Sequence, residues 1–212
     1  WMKTAYWTVF AAAAALEFVF VPWFLKAMWP QKTKQSLLLK MVCATLFLCM
    51  GVFAVLIAEN TTLFAKLMLA GLAFGWLGDF FLHVSSKLKF FVFGLLSFLF
   101  GHVSYICAYL WATKRLFPDK SVISPYAATA LALLFGTGVL FARKRKMHFG
   151  KRLVPVIIYA LTLMSMFVTA AALGLRIASS STAYAVLGGA VLAGGAFSFF
   201  VSDSLWATVN FT

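Results

Sequence analysis

The chain has 212 residues, 64% of them hydrophobic and 11% charged, with a mean hydropathy of +0.98. Such a composition excludes a soluble domain and leaves no room for a soluble module beside a membrane-embedded one. The net charge of +13 would suit a nucleic-acid binder, but the cations sit in short loops between apolar runs, which is the signature of membrane topology.

A hydrocarbon core of about 30 Å is crossed by about 20 helical residues. Seven runs meet or approach that length, at approximately 5–25, 37–57, 62–82, 90–111, 125–142, 153–174 and 182–208. The expected fold is therefore all-α: a single integral membrane domain over residues 1–212, built as a polytopic bundle of seven transmembrane helices. Loops are short, so neighbours should be antiparallel. The first run follows Trp1-Met2 almost directly and has no clear cleavage site, so it reads as a retained helix; Trp1 itself reads as a fragment residue. Pro22 is expected to kink or end the first helix. Pro30, Pro118 and Pro125 fall in loops or at a helix start, and Pro155 falls in the first turn of the sixth helix. Cys43, Cys49 and Cys107 all lie inside apolar runs and are expected to be buried and reduced, with no disulfide framework.

Cation placement sets an expected orientation. Loops 1–2, 3–4 and 5–6 hold eleven cations: Lys26, Lys32 and Lys34, then Lys87 and Lys89, then Arg143, Lys144, Arg145, Lys146, Lys151 and Arg152. The opposite side holds five, Lys3, Lys114, Arg115, Lys120 and Arg176. The N-terminus should lie outside and the odd-numbered loops in the cytoplasm. The membrane would be a bacterial cytoplasmic membrane or the endoplasmic reticulum.

Asp79 and Asp203 stand out against this background. Each is the only ionisable residue in the inner part of its apolar run. A carboxylate in a bilayer costs roughly 3 kcal/mol on insertion scales, so each must be paired, protonated or turned to a polar cavity. The expected topology puts both near the cytoplasmic face, at the depth of Lys40, with Glu17 and His102 deeper. Asp79 is either a helix-end residue reaching for water or a pocket residue. Asp203, in Ser202-Asp203-Ser204, is either a pocket residue or a cap for a following segment. Lys40 either snorkels or serves as counter-ion to one acid or as a phosphate contact. Gly71 and Gly75 form a G-x-x-x-G pair below Asp79, and Gly188, Gly189, Gly194 and Gly195 thin the seventh helix, so tight packing is expected at both acids. Phe98, His102, Tyr105 and Tyr109 share one stripe of the fourth helix. His83 and His148 are read as solvated loop residues, and three scattered histidines give no metal-ligand spacing.

Four stretches, taken together, resemble the YhhN family of membrane proteins, whose characterised members are lysoplasmalogenases. Gly71-Leu-Ala-Phe-Gly-Trp-Leu-Gly-Asp79 is similar to the family's Gly-Leu-x-x-Ser-x-x-Gly-Asp. Phe93-Gly-Leu-Leu-Ser-Phe-Leu-Phe-Gly-His102-Val-Ser-Tyr105 is similar to its Gly-x-x-x-Phe-x-x-x-His-x-x-Tyr. Gly195-Ala-Phe-Ser-Phe-Phe-Val-Ser-Asp203-Ser-Leu-Trp-Ala resembles its Gly-Ala-x-x-Phe-x-x-Ser-Asp-x-x-x-Ala. Lys40-Met41 stands where members often have Lys-Pro, and Tyr159-Ala-Leu-x-x-Met-Ser-Met is a weaker match. The resemblance spans roughly residues 35 to 211. It implies an eighth helix after the Ser-Asp block, which this chain, ending at Thr212, lacks, so the chain is expected to be a fragment or to miss that helix.

The resemblance also implies an activity: hydrolysis of the vinyl ether of a lysoplasmalogen, a lysophospholipid drawn from membrane lipid, to a fatty aldehyde and a glycerophospho-head-group. No cofactor is called for. Vinyl ethers hydrolyse by slow protonation of the β-carbon, giving an oxocarbenium ion to which water adds. That chemistry needs one protonated carboxylic acid and one carboxylate, roles that two acids in unequal environments can divide, as they do in glycosidases. Asp79 and Asp203 are the candidate catalytic pair, and Lys40, His102, Tyr105 and Tyr159 the candidate substrate contacts. No G-x-S-x-G elbow is present. A proton-coupled carrier of lipid or a small molecule is the alternative, since buried acids also build proton relays, though no internal repeat is visible. A structural or assembly subunit is the third reading.

Overall fold

The structure, a computed structural model, describes residues 2–28, 33–59, 61–85, 87–121, 125–180 and 183–211. Pro30 and Lys32, assigned above to the first loop, lie outside the described residues, as do Trp1, Thr212 and the side chain of Lys151.

Seven α-helices follow one another: α1 (Met2–Met28), α2 (Lys34–Ile57), α3 (Leu63–Val84), α4 (Leu88–Leu116), α5 (Pro125–Lys144), α6 (Leu153–Ala178) and α7 (Ala185–Phe211). A short 3-10 turn, Gly150–Arg152, precedes α6, and no strand occurs among the described residues. All seven helices are long and apolar enough to cross a membrane. The chain is an integral multi-pass membrane protein. Its helices are apolar around most of their circumference, and many large side chains, Phe18, Leu175 and Val186 among them, face outward. In lipid such residues carry no penalty. Helix association rests instead on close packing and on polar contacts between helices.

Six of the helices are longer than their apolar runs, and α7 keeps the length of its run, shifted by three residues. Pro22 neither ends nor shortens α1, which continues six residues to Met28. Within a bilayer, neighbouring groups and local adjustment absorb the lost backbone bond. The Ser202-Asp203-Ser204 segment does not cap anything either. It lies inside α7, which runs on to Phe211. Ser204 Oγ donates to Phe200 O at 2.8 Å, so the hydroxyl is satisfied within the helix.

The chain separates into two compact units, Trp1–Ser104 and Tyr105–Thr212, with the division inside α4. In the first unit α1 packs on α2 and α2 on α3. There α3 meets α4 where a Cβ added at Gly101 would lie 3.1 Å from Gly71 O and 3.7 Å from Gly75 N. The backbones of the G-x-x-x-G pair therefore do face a partner helix, although a Cβ at Gly75 would meet nothing within 4 Å. Ser104 Oγ also donates across this contact to Leu67 O at 2.9 Å.

In the second unit α6 packs on both α5 and α7. The α6–α7 pair is antiparallel with a constant register. Gly174 faces Gly189, Phe167 stacks on Phe200 with centroids 5.4 Å apart, Tyr159 meets Asp203, and His148 N–H donates to Phe211 O at 2.8 Å. Only part of the small-residue stripe packs tightly. A Cβ at Gly174 would lie 2.7 Å from Gly189 O, but Gly194 and Gly195 face open space. The cysteines are free, Cys43 and Cys49 half-buried and Cys107 exposed, which corrects the expectation that all three are buried. An apolar thiol on a lipid-facing surface costs nothing in a membrane.

Candidate functional site

In the first unit the α2–α3 contact carries a ladder of polar pairs. Ser36 Oγ lies 2.8 Å from His83 Nε2, Lys40 Nζ lies 3.0 Å from Asp79 Oδ1, and Trp76 Nε1–H donates to Thr45 Oγ1 at 3.0 Å. Positions rise along α2 as they fall along α3, as an antiparallel helix pair requires. Ser36 and Lys40 are one turn apart on α2, and Asp79 and His83 one turn apart on α3, so two rungs stack directly.

Local sequence explains why the lowest rung is rigid. Thr33 and Ser36 form a reciprocal cap at the start of α2: Ser36 N–H donates to Thr33 Oγ1 at 3.0 Å, and Thr33 N–H donates to Ser36 Oγ at 2.9 Å. The same Ser36 hydroxyl, fully buried, then engages His83. His83 belongs to the last turn of α3 and is half-buried, which corrects its reading as a solvated loop residue. His148, by contrast, is exposed and outside the helices, as expected.

Helix α1 closes this ladder from the side. The Phe24 ring has Lys40 Nζ 5.3 Å from its centroid and the His83 ring 6.1 Å away, so one buried aromatic covers both lower rungs. Two turns earlier on α1, Glu17 accepts a hydrogen bond from Cys43, and Cys43 lies one turn beyond Lys40. Lys40 is thus a counter-ion to Asp79 rather than a snorkelling side chain. Each side chain of the pair retains about a third of its surface, 31% for Lys40 and 28% for Asp79, so the pair is partly open.

The second acid has a different partner. In the second unit the Tyr159 hydroxyl on α6 donates to Asp203 Oδ2 on α7. Both residues are half-buried. The α6–α7 register, with the Gly174–Gly189 approach at one end and the Phe149–Phe211 ring contact of 4.9 Å at the other, brings these two side chains opposite each other.

A family model, described as the YhhN family, matches residues 35–212. The chain belongs to the YhhN family. The matched span takes in Lys40, Asp79, His102, Tyr105, Tyr159 and Asp203. The comparisons with curated proteins and with solved structures gave no match.

In this YhhN protein α4 carries His102 in the first unit and Tyr105 and Tyr109 in the second. His102 is 1% exposed, Tyr109 is buried, and the Tyr105 and Tyr109 rings stack with centroids 6.5 Å apart. Of the candidate site residues, Lys40 is brought to Asp79, Tyr159 to Asp203, and Tyr105 to Tyr109. Ser36 and His83 were not expected here, His83 having been read as a solvated loop residue, and neither were Thr45, Trp76 and Phe24. The four-residue spacings Ser36/Lys40 and Asp79/His83 were the available signal for the first two.

Proposed function

We propose that the protein is a lysoplasmalogenase-like membrane hydrolase that cleaves the vinyl ether of lysoplasmalogens, with Asp79 and Asp203 as its two acids. Membership of the YhhN family is consistent with a hydrolase. What carries the reading further is that the two acids have chemically different partners, an ammonium at 3.0 Å for Asp79 and a phenol for Asp203. Unequal environments are what a division between acid and stabiliser requires.

In this proposal Asp203 gives its proton to the β-carbon of the vinyl ether, and the C=C π electrons form the new C–H bond. The oxocarbenium ion is stabilised by the Asp79 carboxylate. Water adds to the cationic carbon and returns a proton to Asp203. The hemiacetal then breaks to fatty aldehyde and glycerophospho-head-group, with one water consumed. Lys40 and Tyr159 act through the acids they contact, and His102 and Tyr105, both on α4, are assigned to the substrate. Positive-inside topology assigns the Lys40–Asp79 end of α2 and α3 to the cytoplasmic side.

The test is mass spectrometry of aldehyde released from a lysoplasmalogen by the purified chain in detergent. Asp79→Asn and Asp203→Asn should each lower turnover by about 10²–10⁴-fold, the usual contribution of general acid–base groups. A solvent deuterium isotope effect above unity should accompany the slow proton transfer to carbon. Turnover near wild type in either variant removes that acid from the mechanism, and no aldehyde from the wild-type chain removes the activity.

A further inference from the structure

The second unit holds a cavity of about 380 Å³ between α5 and α6, inside the range of roughly 300–1,000 Å³ typical of small-molecule sites. Its α6 wall is Leu153, Val156, Ile157, Ala160 and Met164, one stripe at i, i+3, i+4, i+7 and i+11. Its α5 wall includes Phe135, Val139 and Ala142. The α6 wall covers about 16 Å and the α5 wall about 10 Å at 1.5 Å per residue. Tyr159 is not on the α6 stripe. At 3.6 residues per turn it lies roughly 120° around the helix, on the side of α7. This cavity is therefore separate from the Tyr159–Asp203 pair.

One end of the cavity is basic. Arg143, Lys146 and His148 line it there, and no acid lines it anywhere. Lys144 and Arg145, the other cations here, are not part of the lining, and Arg145 lies over the Phe141 ring at 5.6 Å. The turn itself is unusual. Met147 N–H donates to Ala142 O and Lys146 N–H to Arg143 O, both at 3.0 Å, which is a Schellman ending for α5. That ending favours glycine at its left-handed position, yet Lys146 occupies it with φ +52°. The chain keeps a strained lysine at the mouth where glycine would fold better. The following residues are pinned by His148 N–H to Phe211 O and by Phe149 against Phe211, so the mouth is held in place by the end of α7.

We infer that this cavity binds one acyl chain of an anionic phospholipid of the surrounding leaflet, with the lipid phosphate at Arg143, Lys146 and His148. An apolar shaft about 16 Å long on its α6 side, under a cluster of cations, matches an acyl chain and an anionic head group. The inference does not depend on the hydrolase reading, because it uses neither acid.

Native mass spectrometry of the purified chain, titrated with phosphatidylglycerol or with phosphatidylcholine of the same acyl chains, decides it. Phosphatidylglycerol should be retained in preference to phosphatidylcholine. Lys146→Gly should keep or raise Tm, since glycine suits the left-handed turn, while lowering phosphatidylglycerol affinity about fivefold, the value of one cation near an anionic surface. Phosphatidylcholine, whose choline offsets its phosphate charge, should lose less in that variant. Ala160→Phe, which fills the shaft, should weaken both lipids. Equal retention of the two lipids, an unchanged phosphatidylglycerol affinity in Lys146→Gly, or full binding in Ala160→Phe each overturns the inference. So does tighter retention of a single-chain lysophospholipid, which would make the occupant the substrate and not a resident lipid.

Discussion

Breaking the Lys40–Asp79 pair should destabilise the protein far more than losing an ordinary surface ion pair. Removing one partner of a fully buried pair costs about 3–5 kcal/mol, because a desolvated charge is left behind. Exposed pairs are worth about 0–1 kcal/mol. With 31% and 28% of the two side chains exposed and a separation of 3.0 Å, the pair falls between these limits. Discounting the buried value for that exposure gives about 2 kcal/mol for Lys40→Met or Asp79→Asn alone. The double variant should recover most of it, since it buries no lone charge, so the coupling energy, the double minus the sum of the two singles, should be about 3–4 kcal/mol in magnitude. Followed by tryptophan fluorescence on heating in detergent, each single variant should lose roughly 4–8 °C on the scale that holds for domains of this size, and the double variant should return toward wild type. A coupling energy below about 0.5 kcal/mol, the size seen at exposed helix surfaces, would show that the pair is solvated and would refute the reasoning. The same estimate means that Asp79→Asn is folded but weakened. Its activity must therefore be measured well below its own Tm.

Tyr159→Phe should lower kcat roughly tenfold to a hundredfold, the equivalent of one hydrogen bond to a charged group at about 1.5–3 kcal/mol, and KM should stay unchanged in the aldehyde-release assay. A larger KM change would make Tyr159 a substrate contact instead. Gly174→Ala should cost about 1–3 kcal/mol in the same thermal assay, since its Cβ would stand 2.7 Å from Gly189 O, whereas Gly194→Ala, with nothing within 4 Å, should be neutral or stabilising. Equal effects at the two glycines would remove the close α6–α7 approach. Lys87→Cys should resist an impermeant thiol reagent added outside intact cells, and labelling there would invert the orientation.

The sequence was most legible where the physics is one-dimensional. Seven apolar runs became seven helices because hydropathy needs no partner to be read. Helix ends were less legible, for local reasons. The Ser-Asp-Ser of α7 has cap chemistry, yet serine can return its hydroxyl to the preceding turn, as Ser204 does, and the helix runs on. His83 lies near Lys87 and Lys89 and so suggested a loop, but its bond to Ser36 belongs to a neighbouring helix and is invisible in a linear reading. The glycines of α7 were legible as small residues but not by direction. Helical phase turns Gly189 toward Gly174 and Gly194 away from any neighbour, and that phase is fixed only when α6 is in place. Asp79 and Lys40 were found by cost: a charge that expensive in lipid demands a partner, and the nearest opposite charge at its depth proved to be it.

The ion pair also bears on how the chain enters the membrane. Lys40 and Asp79 belong to consecutive helices joined by the short 58–62 connection. Alone, α2 or α3 would carry one unneutralised charge into the hydrocarbon, a cost with an upper limit of about 2.5–3.5 kcal/mol each, the insertion-scale value for the bilayer centre. Entering as a hairpin, the two cancel each other before either meets lipid. The α2–α3 hairpin is thus the smallest stretch of the chain that meets lipid with this pair already neutral.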